Sequence, residues 1–388
     1  MAVALKLVRA KLARWILAAL FVTFVTRIVV LMTTADLSDM YLTPLLDYGS
    51  FMHSAEALAS GLNPYVHHAG IQPPPSAPYG VNLNPPVSLL PFTALNELVA
   101  PDAGRLALQI VTVLGFVTML AILALRYPAN AGAITLATLV LVSHIGGTVW
   151  WGQIYVLLGL CSLTGILVLE KGRWVVAGIA FGLLVAMKPP FVLVPLFLLA
   201  TGHRREGAAI LGVAGALSLV PLAIWGFDIY RQWFEVSTSL GPVHYEGWPR
   251  GSMSLTSASV VLFGTKLLGI ALSVVVAGGS AAWMFAIRSR LSNAEVAGYA
   301  LMVAMVVSPI TWPGYLPIVI PALMARRLDT SMWAGLIMLW FASGIGILVL
   351  LASCVRQAHR LVAEEDPLPE IQPLFAHDIP DATTQRAA

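Results

Sequence analysis

Long apolar runs, several close to the roughly 20 residues that a helix needs to cross a bilayer's hydrocarbon core, follow one another along this chain, and they restrict it to very few folds. They fall near 15–33, 106–125, 131–149, 154–169, 174–187, 208–225, 266–286, 294–307, 315–324 and 332–351. Only 11% of the 388 residues are charged, against about 25% in a soluble domain, and mean hydropathy is +0.84. A membrane barrel would instead show alternating segments of about ten residues. The expected fold is all-α: a polytopic transmembrane helical bundle of about 10–13 helices, since backbone groups in lipid must bond within their own segment. No polar block of domain size interrupts it, so 1–355 reads as one membrane domain. The stretch 356–388, rich in Pro, Asp, Glu and Gln, reads as a polar, disordered tail.

The net charge of +3 matters less than where Lys and Arg stand. Lys6, Arg9, Lys11 and Arg14 precede the first apolar run, and no basic residue follows it until Arg105. This places the N-terminus in the cytoplasm and reads the run as a retained membrane helix rather than a cleaved signal. The loop 35–86 is then on the outer side of a plasma (inner) membrane that the chain crosses many times. Residues 86–99 are too short for a comfortable span and are expected to turn back without crossing. The clusters Lys171/Arg173, Arg204/Arg205, Arg288/Arg290 and Arg326/Arg327 fall together on the cytoplasmic side if Lys188-Pro189-Pro190 is an outer turn. Cys161 and Cys354 offer neither a disulfide framework nor metal-ligand spacing.

Polar chemistry concentrates in the outer loops. Asp47 could serve as a general base toward a hydroxyl, though spacing alone reads it more simply as a solvated aspartate or a helix N-cap. Residues 51–59 read as a short interfacial helix ended by Gly61 and the Asn63-Pro64 turn. Tyr48 and Tyr65 suit headgroup level with or without a ligand. His53 with His67 and His68 raises a metal site, but adjacent histidines aim poorly at one ion, and no metal is assigned. Arg27, in the outer half of the first helix, either snorkels or faces the interior. Gln153 opens a helix where it could meet a sugar hydroxyl, and His144 lies about two turns earlier. Lys188, between apolar segments, must reach the surface or meet an anion such as a lipid phosphate. Tyr245 and Arg250 belong to the polar loop 226–254, a cationic and aromatic set suited to a phosphate or sugar. Ser308-Pro309-Ile310-Thr311-Trp312-Pro313-Gly314-Tyr315 frees backbone carbonyls that must be satisfied inside protein or in a watery cavity.

Taken in order, Asp47 with Phe51, Ala55, Leu58, Gly61, Asn63, Pro64 and Tyr65, then Asn84-Pro85-Pro86 and Pro91, Gly152-Gln153, Lys188 with Pro190 and Pro195, and Ser308 to Trp312 resemble the GT-C-fold membrane glycosyltransferases. More narrowly they are similar to glycosyltransferase family 87, with its PimE-type mannosyltransferases. The resemblance implies an inverting transfer of a sugar, mannose by expectation, from a polyprenyl-phosphate donor to a lipid or glycan acceptor at the outer face, without metal or other cofactor. It makes Asp47 the base. The reading of the polar junctions above gives Arg27, Tyr48, His53, Asn63, Tyr65, His144, Gln153, Lys188, Tyr245, Arg250, Trp312 and Tyr315 as the expected substrate-binding set. The chain departs from the family after Trp312, where members often carry histidine and Pro313-Gly314-Tyr315 stands here. Membrane lipids are expected partners and nucleic acid is not. A lipid transporter or flippase ranks lower, because its ion pathway would need mid-helix carboxylates. An inactive assembly protein is the third reading.

Overall fold

The computed structural model describes residues 46–71, 82–130, 132–134, 136–137, 151–240, 242–245, 247–326 and 328–363. The first expected membrane helix, Arg27 and His144 lie outside the described residues. Within them every regular element is helical. In order these are α1 (Leu46–Ala59), a 3-10 turn at Pro86–Ser88, α2 (Leu89–Leu98), α3 (Pro101–Arg126), α4 (Tyr155–Leu169), α5 (Trp174–Met187) and α6 (Leu193–Ala200). They continue with α7 (Arg204–Trp225), α8 (Asp228–Thr238), α9 (Leu255–Phe263), α10 (Lys266–Ala286), α11 (Asn293–Val307), α12 (Leu316–Met324), α13 (Thr330–Phe341) and α14 (Ser343–Ala363).

Among the described residues, Ala103–Arg126 in α3, the whole of α7 and the whole of α10 are long and apolar enough to cross a membrane by length and composition, and most of their surface faces outward. The shorter α11 and α12 are buried along nearly their whole length. A helix that is apolar all round belongs inside a bundle, so the three long helices form a lipid-compatible rim around a dry centre. The chain is an all-α polytopic bundle.

Successive helices run back and forth between two ends. One end gathers residues 153–155, 188–190, 308–315 and 341–343; the other gathers the turns at 126–130, 169–174, 201–204, 287–293 and 325–330. At that second end Arg126 pairs with Glu170 at 2.9 Å, and Asn130 Nδ2 donates to the carbonyls of Met324 and Arg326, each at 2.8 Å. α2 stays at the first end. It starts beside Asn84, and its Leu95 and the Tyr48 hydroxyl both pack on Gly104 near the start of α3.

Three departures from the sequence reading bear on the site. The loop 226–254 contains α8, whose Ile229 joins Tyr65 and Leu89 in a small apolar cluster with Tyr230, Trp233 and Val236 against it. Tyr230 donates to the Ser218 carbonyl at 2.6 Å and Trp233 Nε1 to the Leu83 carbonyl at 3.1 Å, so α8 is tied to the bundle. The segment 332–351, expected as one helix, breaks at Ala342 into α13 and α14. There Ser343 Oγ donates to the carbonyls of Leu339 and Arg250, and the Gly344 N–H donates to the Pro249 carbonyl at 2.8 Å. α14 then continues to Ala363, past the boundary expected at 355. Finally, α1 is not a surface-lying helix: its Tyr48, Phe51, Met52 and Ala55 enter the main core. Phe51 stacks on Phe92 with ring centroids 4.1 Å apart, because α2 covers the face expected to meet headgroups.

Candidate active site

At the first end of the bundle a cavity of about 320 Å³ opens between α1, the 82–85 segment, α8 and the two helix breaks at 188–190 and 308–315. Its polar wall carries Asp47, Ser50, Asn82, Asn84, Tyr155, Lys188 and Tyr315. The rest of the lining is mostly apolar, with Leu83, Trp233, Leu240, Ile310, Trp312 and several prolines. Pockets of this kind, mostly apolar with a few convergent polar groups, are the usual form of a ligand site.

Proline chemistry puts Lys188 here. α5 ends at Met187, because Pro189 disfavours helical backbone at the residue before it, and Lys188 takes φ −141° and ψ 86°. Its side chain is only 8% exposed. A buried ammonium is costly unless it is hydrogen-bonded. Nζ donates to Asn84 Oδ1 at 2.6 Å, to the Tyr315 hydroxyl at 3.0 Å and to the Tyr155 hydroxyl at 3.5 Å. It also sits 4.8 Å and 4.9 Å from the ring centroids of Tyr155 and Tyr315, which stack on each other at 4.3 Å. All three bonded partners are neutral, so they solvate the cation without cancelling its charge.

Asp47 stands in the first turn of α1, half-buried on the cavity wall. Burial pushes its carboxyl above the ordinary carboxylate range; a hydrogen bond from Gln153 and the charge of Lys188 pull in the other direction. A carboxyl group and an ammonium therefore share one cavity.

The prolines of 308–315 leave their carbonyls to outside donors, and the neighbouring segment provides several. Ser254 Oγ donates to the Pro309 carbonyl at 3.0 Å and the Met253 N–H to the Thr311 carbonyl at 2.8 Å, while Ser308 Oγ satisfies Ile310 at 2.9 Å. Thus the 308–312 stretch is tied in place beside the cavity. Gly314 packs so closely that a Cβ would fall 2.8 Å from Gln153 Oε1 and 3.0 Å from the Tyr155 ring. The next residue, Tyr315, supplies a hydroxyl to Lys188.

Of the substrate-binding set expected from sequence, Lys188, Trp312 and Tyr315 line the cavity with Asp47, and Gln153 lies behind Asp47. The others in the described residues serve elsewhere. Tyr48 is fully buried, edge-on to Phe92 at 6.5 Å. Asn63 Oδ1 accepts the Tyr65 N–H at 2.9 Å, closing the turn after α1, and Tyr65 fills the small cluster with Leu89 and Ile229. His53 is buried and stacks with His67 and His68 at 5.8 Å and 6.0 Å; no group of three or more His, Cys, Asp or Glu among the described residues is arranged to hold a metal ion. Tyr245 is buried in a short 3-10 turn packed on α9, and Arg250 is exposed. Sequence reasoning missed Ser50, Asn82, Tyr155 and Trp233 in the cavity, and assigned no role to Asn84.

Neither the comparison with curated proteins nor that with solved structures gives a match. The family comparison does: the model of glycosyltransferase family 87 matches residues 82–309. That interval holds Asn82, Asn84, Gln153, Lys188 and Ser308, while Asp47, Trp312 and Tyr315 join them through the geometry of the cavity. The match covers more than half of a membrane-type helical bundle, and the chain belongs to glycosyltransferase family 87.

Proposed function

We propose that this glycosyltransferase moves a sugar, mannose in our reading, from a polyprenyl-phosphate donor to a hydroxyl of a lipid or glycan acceptor at the outer face of the plasma membrane. The observation that supports the reading is the meeting of Asp47 and Lys188 in one cavity whose remaining lining is mostly apolar. The cation suits the donor phosphate, and Leu83, Trp233, Leu240 and Ile310 suit the isoprenoid chain that follows it.

The reaction then follows from position. Lys188 holds the phosphate while the acceptor oxygen attacks the anomeric carbon from the opposite side. The bond from that carbon to the phosphate oxygen breaks, and the phosphate leaves with the bonding electron pair. Asp47 takes the acceptor proton as the new glycosidic bond forms, and attack opposite the leaving group inverts the anomeric centre. Burial favours this division of labour, because a carboxyl raised toward neutrality is a better proton acceptor near working pH than a fully solvated one.

The test is transfer by purified protein in nanodiscs, with labelled polyprenyl-phosphate mannose and a lipid extract as acceptor source. The wild type forms a labelled glycolipid. Asp47→Asn, which keeps shape but removes the base, lowers turnover by about 10²–10⁴-fold with unchanged folding. Full turnover by that variant would remove Asp47 from the mechanism.

A further inference from the structure

One polar chain in the bundle reaches the cavity from outside the set that touches the reacting groups. Its far end is the turn after α1, where Ser54 Oγ donates to the Pro64 carbonyl at 2.7 Å. Asn82 Nδ2 donates to Ser54 Oγ at 3.2 Å. Asn82 Oδ1 accepts both the backbone N–H and the side-chain Nδ2 of Asn84, each at 3.0 Å. Asn84 Oδ1 in turn accepts Lys188 Nζ at 2.6 Å, the shortest of the three bonds that the ammonium makes to Asn84, Tyr155 and Tyr315.

The direction of each bond is what matters. An amide presents an acceptor on one side and a donor on the other, and only the acceptor side can face an ammonium. A backbone N–H cannot accept, so the Asn84 N–H fixes the oxygen of Asn82 on its own side. That oxygen then takes the Asn84 Nδ2, which turns the Asn84 oxygen toward Lys188. With Asn82 replaced by an apolar residue, the Asn84 amide loses the partner that anchors its donor end, and the position at which its oxygen holds the ammonium is no longer fixed. Asn82 is 3% exposed and Ser54 1%, so water does not readily substitute for these bonds.

We infer that Asn82 is a positioning residue for donor recognition: through the amide of Asn84 it aims the Lys188 ammonium at the phosphate of the sugar donor. This rests on the reading that Lys188 binds that phosphate. It assigns the Asn82-Leu83-Asn84 stretch to phosphate affinity rather than to the loop geometry that its proline neighbours suggest.

The test compares Asn82→Leu, Asn84→Leu, the double variant, Asn82→Gln and Lys188→Met in nanodiscs, with two readouts. One is KM for the labelled donor against kcat; the other is the dissociation constant of unlabelled polyprenyl phosphate, which needs no turnover. Lys188→Met is expected to weaken polyprenyl phosphate binding most. Asn82→Leu and Asn84→Leu each raise donor KM and the dissociation constant about tenfold, with kcat within about twofold, in line with the loss of one hydrogen bond to a charged group. The double variant is no worse than either single one, because both act through the same amide. Asn82→Gln keeps an amide acceptor and donor without adding charge, and retains more of the affinity than Asn82→Leu even if the latter does not fold. Additive losses, a fall in kcat alone, or equal damage by Asn82→Gln and Asn82→Leu would overturn the positioning role. If Lys188→Met leaves polyprenyl phosphate binding intact, the underlying reading fails instead.

Discussion

Asp47 is governed by opposing local effects whose signs can be worked out one at a time. Burial penalises the carboxylate and raises its pKa, whereas the Gln153 hydrogen bond and the Lys188 charge favour the ionised form. A base must be ionised to accept a proton, so the rate falls as pH drops through this raised value. The acid limb of kcat/KM is therefore expected above the ordinary carboxylate range. Gln153→Leu removes one of the influences holding the value down, so the limb moves to still higher pH while the plateau rate stays comparable. A pH–rate profile with the limb at ordinary carboxylate pH, unmoved by Gln153→Leu, would contradict the assignment. At this scale the sequence was partly legible. Lys188 stood out because a lysine followed by two prolines between apolar segments has few places to go, and Asp47 emerged through the family resemblance. Asn82, Tyr155 and Trp233 did not, since one asparagine, tyrosine or tryptophan at a helix edge carries no sign of what the fold brings across to it. Asn63 and Tyr65 matched the same motif as Asp47, yet they build the turn and the small core beneath it.

Helix bounds were read best where composition changes sharply. The bounds 174–187 and 266–286 agree with α5 and α10, each flanked by a charged or capping residue. α9 was missed although its signals are present: Ser254 caps it by accepting the Ser257 N–H, and Gly264 ends it in the left-handed region with φ 69°. α8 was missed because its periodicity is short and its polar residues read as loop. The break between α13 and α14 has no proline; it depends on the docking of residues 249–250, which local pattern cannot report. Packing between elements also sets the site. α4 and α12 meet where a Cβ on Gly159 would come within 2.7 Å of the Pro317 carbonyl oxygen. About one turn before Gly159 on α4 is Tyr155, and Tyr315 immediately precedes α12, so the same contact fixes the spacing of the tyrosine stack beneath Lys188. Gly159→Ala must push backbone apart, an overpacking effect of about 1–3 kcal/mol. We expect a lower unfolding temperature in detergent together with a raised donor KM. Unchanged values of both would show that α4 and α12 have slack that the structure does not suggest.

At the scale of the whole bundle, charge and chain direction point the same way. Among the described residues, four helices that leave the cavity end arrive at turns carrying basic residues: Lys171 and Arg173 after α4, Arg204 and Arg205 after α6, Arg288 and Arg290 after α10, and Arg326 after α12. Lys and Arg accumulate in cytoplasmic loops, so our proposal puts the opposite end, with its cavity, on the outer side. Such a placement also suits a donor that presents its sugar beyond the cytoplasm. The prediction needs only two positions on a background with Cys161 and Cys354 replaced by serine. Arg250 and Arg173 are both exposed and lie at opposite ends of the bundle, so Arg250→Cys and Arg173→Cys report on the two sides. A membrane-impermeant maleimide applied to intact cells should label Arg250→Cys, and should label Arg173→Cys only after permeabilisation. The reverse pattern would turn the cavity toward the cytoplasm. In that case a nucleotide-activated sugar would become as plausible a donor as a lipid-linked one, and the apolar wall around Trp233 would have to be explained by the acceptor alone.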